Sequence, residues 1–176
     1  MDSDWLRSAL DRYERPLVRY AAGITGNIES AREVVQDTFL RLCRQNPSRI
    51  GEHLAAWLFT VCRNRAYDVL RKESRLTPLD EADACSRESE APPPLTVLEQ
   101  KEGLTQVLSI LKTLPHNQQE VLRLKFQNDL SYKEISQVTK LSVTNVGFLI
   151  HTALKTIRRQ VKADLASSQK ILRRVK

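Results

Sequence analysis

Glycine is scarce in this chain, with five residues in 176, and that scarcity favours helix throughout. Cysteine is as sparse. Cys43, Cys62 and Cys85 lie far apart with no C-x-x-C pair, and His53, His116 and His151 are equally scattered. Neither a disulfide framework nor a metal site is indicated, and the cysteines read as core or incidental residues. No stretch reaches 18 apolar residues, and the N-terminus, MDSDWLRSALDRYERP, is acidic where a secretion signal is basic. The expectation is a soluble, cytoplasmic protein with no membrane insertion. No cluster of His, Cys, Asp, Glu or Ser has the spacing of a catalytic site, so the chain is expected to be a binding protein, not an enzyme, with no cofactor.

What the chain does have is hydrophobic content of 41% and a net charge of +7. The first suffices for the cores of one ordinary domain or two small ones. The second points to nucleic acid or an anionic surface as partner. The charge is concentrated at one end: from Leu130 onward ten Lys and Arg stand against two acids, Glu134 and Asp164. A surface that positive attracts phosphates.

The first part of that basic segment, LSYKEISQVTKLSVTNVGFLIHTALKTIRR from Leu130 to Arg159, has the pattern of two helices joined by a very short turn. Ser131 and Glu134 have the spacing of a capping box. Ile135 and Val138 form an inward stripe, Thr139, Lys140 and Leu141 fill the turn, and Ser142 is a second N-cap. The second helix would bury Val146, Ile150, Ala153 and Ile157. That leaves Thr144, Asn145, Phe148, His151, Thr152 and Lys155 on another face, followed by Arg158 and Arg159. Cap, short helix, turn, cap and longer basic helix is the helix-turn-helix plan. A plain helical hairpin shares the periodicity, and the charge favours the former.

Earlier in the chain, Leu6, Leu10, Tyr13, Leu17, Tyr20 and Ile24 recur at helical spacing, with Pro16 expected to break the segment into two helical pieces. Thr25, Gly26 and Asn27 make a turn. A helix over residues 29–44 turns Ala31, Val34, Val35, Thr38, Phe39 and Leu42 inward and presents Glu33, Gln36, Asp37, Leu40, Arg41 and Arg44 outward. Leu40 within a polar ring suits the centre of a small protein-docking surface. Residues 46–53 read as a loop, with Pro47 and Gly51 as breakers. A longer helix of about 30 Å then runs over residues 54–74. Leu58, Val61, Cys62, Ala66, Val69 and Leu70 face its core, while Arg63, Asn64, Tyr67, Arg71, Lys72 and Arg75 line the outside. Such a stripe suits phosphate contact together with base stacking or hydrogen bonding, and a charged solvated face is its alternative. Residues 77–97 carry three consecutive prolines and five acids against one arginine, the signature of an extended acidic linker. Helix is expected again over 98–114, with Val107, Leu108, Leu111 and Leu114 inward, and over 117–126 with Val121, Leu122 and Leu124.

In this order the residues resemble a known family, the bacterial RNA polymerase sigma factors of the extracytoplasmic-function class. RYAAGITGNIESAREVVQDTFLRLCR is similar to its core-polymerase-binding segment, AWLFTVCRNRAYDVLRK to its promoter-melting segment, and LPHNQQEVLRLKFQNDLSYKEIS to the entry of its region 4. The resemblance implies an all-α fold of two small helical domains: region 2 at 1–76, an acidic linker at 77–98, and region 4 with the helix-turn-helix at 99–176. It implies a promoter-specificity subunit that binds core RNA polymerase, recognises the minus-35 and minus-10 elements and helps open the DNA. The alternative is a helix-turn-helix regulator acting on duplex DNA without polymerase. Under the resemblance, the face with Gln36 and Asp37 docks on the polymerase clamp helices. Asn64 and the 46–53 loop handle the single-stranded minus-10 element, where a base leaves the stack. The helix after Ser142 reads duplex minus-35 DNA in the major groove, and the linker sits in the channel later used by RNA. The resemblance also allows for an anti-sigma factor as partner.

The chain departs from the family pattern in the helix-turn-helix. Lys140 stands where the family usually has glycine, and a left-handed lysine there would cost about 1 kcal/mol. The usual Gly-Thr-Val followed by Lys and Arg is here Thr144, Asn145, Val146, Gly147, Phe148 and Leu149. Two expectations stay open: an unusual minus-35 element read by Asn145, His151 and Lys155, or partial use of this surface for protein contact through Phe148.

Overall fold

The computed structural model describes residues 3–76 and 109–172, and every regular element among them is helical. The acidic 77–97 stretch and most of the helix expected over 98–114 lie outside the described residues. The chain divides into two compact units, Met1–Pro92 with Lys133–Lys140, and Pro93–Tyr132 with Leu141–Lys176.

In the first unit, helices α1 (Ser3–Thr25), α2 (Ile28–Leu42) and α4 (Leu54–Leu76) pack against one another. The join between α1 and α2 is the Thr-Gly-Asn turn. Gly26 takes the left-handed conformation at φ 70°, and Asn27 Oδ1 accepts from the backbone N–H of Glu29 at 2.8 Å, capping α2. All six residues expected to face inward on α2 are buried. Pro16 does not break α1, which runs unbroken through it. The carbonyl of Arg12, which proline leaves without its helical partner, belongs to an exposed residue and can take water, while Leu17 and Tyr20 in the following turn are buried. The inward stripe of α1 is also shifted: Ala9 and Ala21 are buried, and Leu10 is exposed. Tyr20 meets Phe59 of α4 edge to face, with ring centroids 5.3 Å apart.

Residues 46–53, expected as a loop, form a short helix α3 (Pro47–Ile50) and a 3₁₀ turn, Gly51–His53. Asn46 caps α3 by accepting from Ser48 N–H at 3.0 Å, proline takes the first turn where its missing N–H costs nothing, and Gly51 leaves at φ 47°. Cys62 is fully buried, as a core cysteine should be. Burial pushes its thiol up to about 12, against a smaller opposite pull from a hydrogen bond with Thr38, so it stays protonated and unreactive at neutral pH.

The second unit holds helix α5, described over residues 109–113, α6 (His116–Leu122), a π-helical turn (Arg123–Gln127) and α8 (Val143–Leu172). Gln119 Nε2 donates to the carbonyls of Lys112 and Leu114, acceptors that the end of α5 leaves without a helical partner. Ile110, Leu114, Val121, Leu122, Leu124 and Leu130 are buried, as are Val146, Ile150 and Ala153 of α8. α6 packs on α8. Between them in sequence lies α7 (Tyr132–Thr139), where Ile135 and Val138 are fully buried. The expected helix-turn-helix order is therefore present, with α8 extending to Leu172, well past Arg159.

Candidate functional site

Three exposed faces carry the residues singled out by the sequence. On α2, Glu33, Gln36, Arg41 and Arg44 are exposed, and Leu40 stands 60% exposed among them. Nothing in the unit's core requires a leucine there. Asp37 has a different position from the one expected. Its Oδ2 accepts from Arg65 Nε at 2.7 Å, both side chains being partly buried, so it ties α2 to α4 rather than standing free on the outer surface. Arg65 had no assigned role in the sequence pattern. A carboxylate and an arginine 28 residues apart give no periodic signal.

On α4, Asn64, Arg71 and Lys72 are exposed, and Arg63 and Tyr67 are half-buried. The side chain of Arg75 lies outside the described residues. The Arg63 guanidinium sits over the Tyr67 ring, 4.8 Å from its centroid, an i, i+4 cation–π pair that presents a flat positively charged surface. Arg71 pairs with Asp68 at 2.7 Å on the same face. The Asn64 side chain makes no hydrogen bond among the described residues, so its amide has both donor and acceptor to offer.

On α8, the two faces separate as the spacing requires. Thr144, Asn145, Phe148, His151, Lys155, Arg158 and Arg159 are all exposed, and Phe148 stands 65% in solvent. Thr152 and Ile157 are half-buried. Ser142 caps the helix, its Oγ accepting from the backbone N–H of Asn145 at 3.2 Å. The Asn145 side chain is therefore not needed as the cap, and it makes no hydrogen bond among the described residues. The turn before the cap is strained where expected, with Lys140 at φ 64°. Replacing it with glycine, Lys140→Gly, should raise stability by about 1 kcal/mol; a urea midpoint no higher than that of the parent would count against strain there.

One local arrangement was not visible in the pattern. A Cβ at Gly147 would lie 3.6 Å from Cε2 of Tyr132, so the Tyr132 ring covers the backbone of α8 where the family's usual lysine would begin. Lys125 holds its ammonium 5.9 Å from the same ring's centroid. A glycine inside a helix costs about 1 kcal/mol relative to alanine, yet at 3.6 Å the Tyr132 ring would meet a Cβ in ordinary van der Waals contact, so packing does not require the glycine.

Comparison with known proteins shows what the whole chain is similar to. The family described as Sigma-70 region 2 matches residues 9–76, and Sigma-70, region 4 matches residues 104–157. The chain is 28% identical over 147 residues to the ECF RNA polymerase sigma factor SigM of Bacillus subtilis, covering 83% of this chain and 88% of that one. It is 28% identical over 158 residues to the ECF RNA polymerase sigma factor SigL of Mycobacterium tuberculosis, covering 87% and 86%. The fold is similar to that of the sigma factor RpoE from Bartonella quintana, solved in complex with the anti-sigma factor NepR. That match has a TM-score of 0.70 at 24% identity over 92% of this chain and 98% of that one. Among the described residues no helix is long and apolar enough to cross a membrane.

Proposed function

The chain belongs to the sigma-70 family, in its extracytoplasmic-function class, and on that premise we propose which of its faces performs each task of a promoter-specificity subunit. The protein directs RNA polymerase to promoters. Residues 1–76 act as region 2, residues 77–98 as the linker, and residues 99–176 as region 4. The α2 face around Leu40 docks on core polymerase, with Glu33, Gln36, Arg41 and Arg44 as its polar rim. Asp37 contributes by fixing that face through Arg65. The α4 face takes the single-stranded minus-10 element, and the α8 face takes duplex minus-35 DNA. The protein acts by binding, as an initiation factor without chemistry of its own. An anti-sigma factor is a further partner, since the sigma factor RpoE of similar fold was solved with one.

The observation that carries this reading is the unengaged Asn64 amide beside the Arg63–Tyr67 stack. An extruded base needs both a flat surface and an edge to pair with. In this reading Arg71, which pairs with Asp68, and Lys72, both two turns further on, hold phosphates. Mixing the protein with core polymerase and sequencing the transcripts it initiates tests the reading, and absence of specific start sites would refute it. Within that assay, Asn64→Ala should change base preference at one minus-10 position. Arg71→Ala should instead weaken all promoters alike and lower the salt slope by about one. A uniform loss for Asn64→Ala across a minus-10 substitution panel would take away its specifying role.

A further inference from the structure

The most exposed large apolar side chain among the described residues is Phe148, and it lies in the middle of the α8 face assigned above to DNA. We propose that Phe148 reads the 5-methyl group of a thymine in the minus-35 element. The inference rests on that assignment of α8.

Four observations lead to it. First, the neighbours of Phe148 one turn away on the outer face, Thr144, Asn145 and His151, are polar and exposed. These side chains carry donors and acceptors that base edges can pair with. Second, from Val143 to Ala163 there are four Lys and Arg and no acid, so the surface complements phosphate. Third, a phenyl ring has no donor or acceptor. Set against guanine, adenine or cytosine edges it would desolvate polar groups without replacing their hydrogen bonds, whereas thymine offers an apolar methyl in the major groove. Fourth, Phe148 lies three residues beyond Asn145, a rise of about 4.5 Å along the helix. The base-pair step of B-DNA is about 3.4 Å, so the two side chains reach base pairs next to each other or nearly so. An asparagine suited to adenine and a phenylalanine suited to thymine then read one short A/T-containing step.

The test uses the protein assembled with core polymerase. A double-stranded library randomised upstream of the start site first gives the preferred minus-35 sequence. Each thymine in it is then replaced singly by deoxyuridine, which removes only the methyl. At one thymine the wild-type protein should lose affinity by about fourfold, the worth of burying one methyl group. The Phe148→Ala protein should bind the thymine and deoxyuridine duplexes equally, and Phe148→Leu should keep part of the difference. The idea is overturned if the selected element holds no thymine, or if deoxyuridine costs wild type and Phe148→Ala the same. It is also overturned if Phe148→Ala leaves DNA affinity unchanged but abolishes binding of a protein partner. Loss of all minus-35 dependence, with Lys155→Ala also silent, is a separate result, because it removes the assignment of α8 to DNA and not merely this contact. Phe148 is exposed, so an unchanged thermal midpoint for Phe148→Ala shows that the fold is intact.

Discussion

Leu40→Asp should weaken binding to core polymerase by about 2 kcal/mol, roughly thirtyfold in Kd, while leaving the thermal midpoint unchanged. The side chain is 60% exposed on α2, whose inward positions are all filled by other residues, so the fold gains nothing from a leucine there. A single apolar group inside a ring of Gln36, Arg41 and Arg44 is what a small docking surface needs at its centre. Placing a charge at that centre forces its desolvation against the partner. Asp37→Arg is the less informative substitution. It puts a second cation beside Arg65, which Asp37 now holds at 2.7 Å, so lower polymerase binding would come mixed with a local disturbance of α2 against α4. Titration of labelled core polymerase decides: if Leu40→Asp binds like the parent, docking does not use this face.

Asn145→Ala should cost about 1 to 3 kcal/mol at one minus-35 adenine and little at other positions. Asparagine pairs bidentately with adenine N6 and N7, and the first turn of a docked recognition helix is where side chains reach base edges. The cap hydrogen bond is supplied by Ser142, so alanine at 145 leaves the helix start as it is. Lys155, Arg158 and Arg159 lie about three to four turns further on, where on the proposed assignment they would hold phosphates on the groove wall. Lys155→Ala should reduce affinity on all sequences. Binding across a minus-35 library separates the two kinds of loss, and an Asn145→Ala profile with the parent's shape would exclude the base contact.

Much of this was legible because helical periodicity is a local signal. On α2 the spacing alone placed all six buried residues, and on α8 it separated Val146, Ile150 and Ala153 from the exposed Thr144, Asn145, Phe148 and His151. The exceptions depend on distant partners. Pro16 should disrupt α1, yet packing of that helix on α2 and α4 outweighs one lost hydrogen bond. Leu10, one of the apolar residues at helical spacing, is exposed while Ala9 is buried, because the face of α1 is set by its neighbours and not by which side chain is larger. The Asp37–Arg65 pair and the cover of Tyr132 over Gly147 join residues far apart in sequence or of no fixed spacing, so composition carries no trace of either. The short helix α3 was hidden because proline and glycine mark its two ends as strongly as they mark a loop.

The unbroken run of α4 bears on how such a protein can acquire a new promoter. Asn64 and Lys72 stand eight residues apart on one helix, about 12 Å, so on the proposed assignment a fixed length of backbone separates the residue that would read a base from the one that would grip a phosphate. Exchanging a side chain at either point alters the preference or the grip. Inserting a single residue between them would turn everything beyond it by about 100° and carry the exposed residues toward the packed side. On the proposed assignment of α4, divergence of the minus-10 preference is thus open to substitution and closed to insertion, and a new specificity is reached by changing letters at constant length.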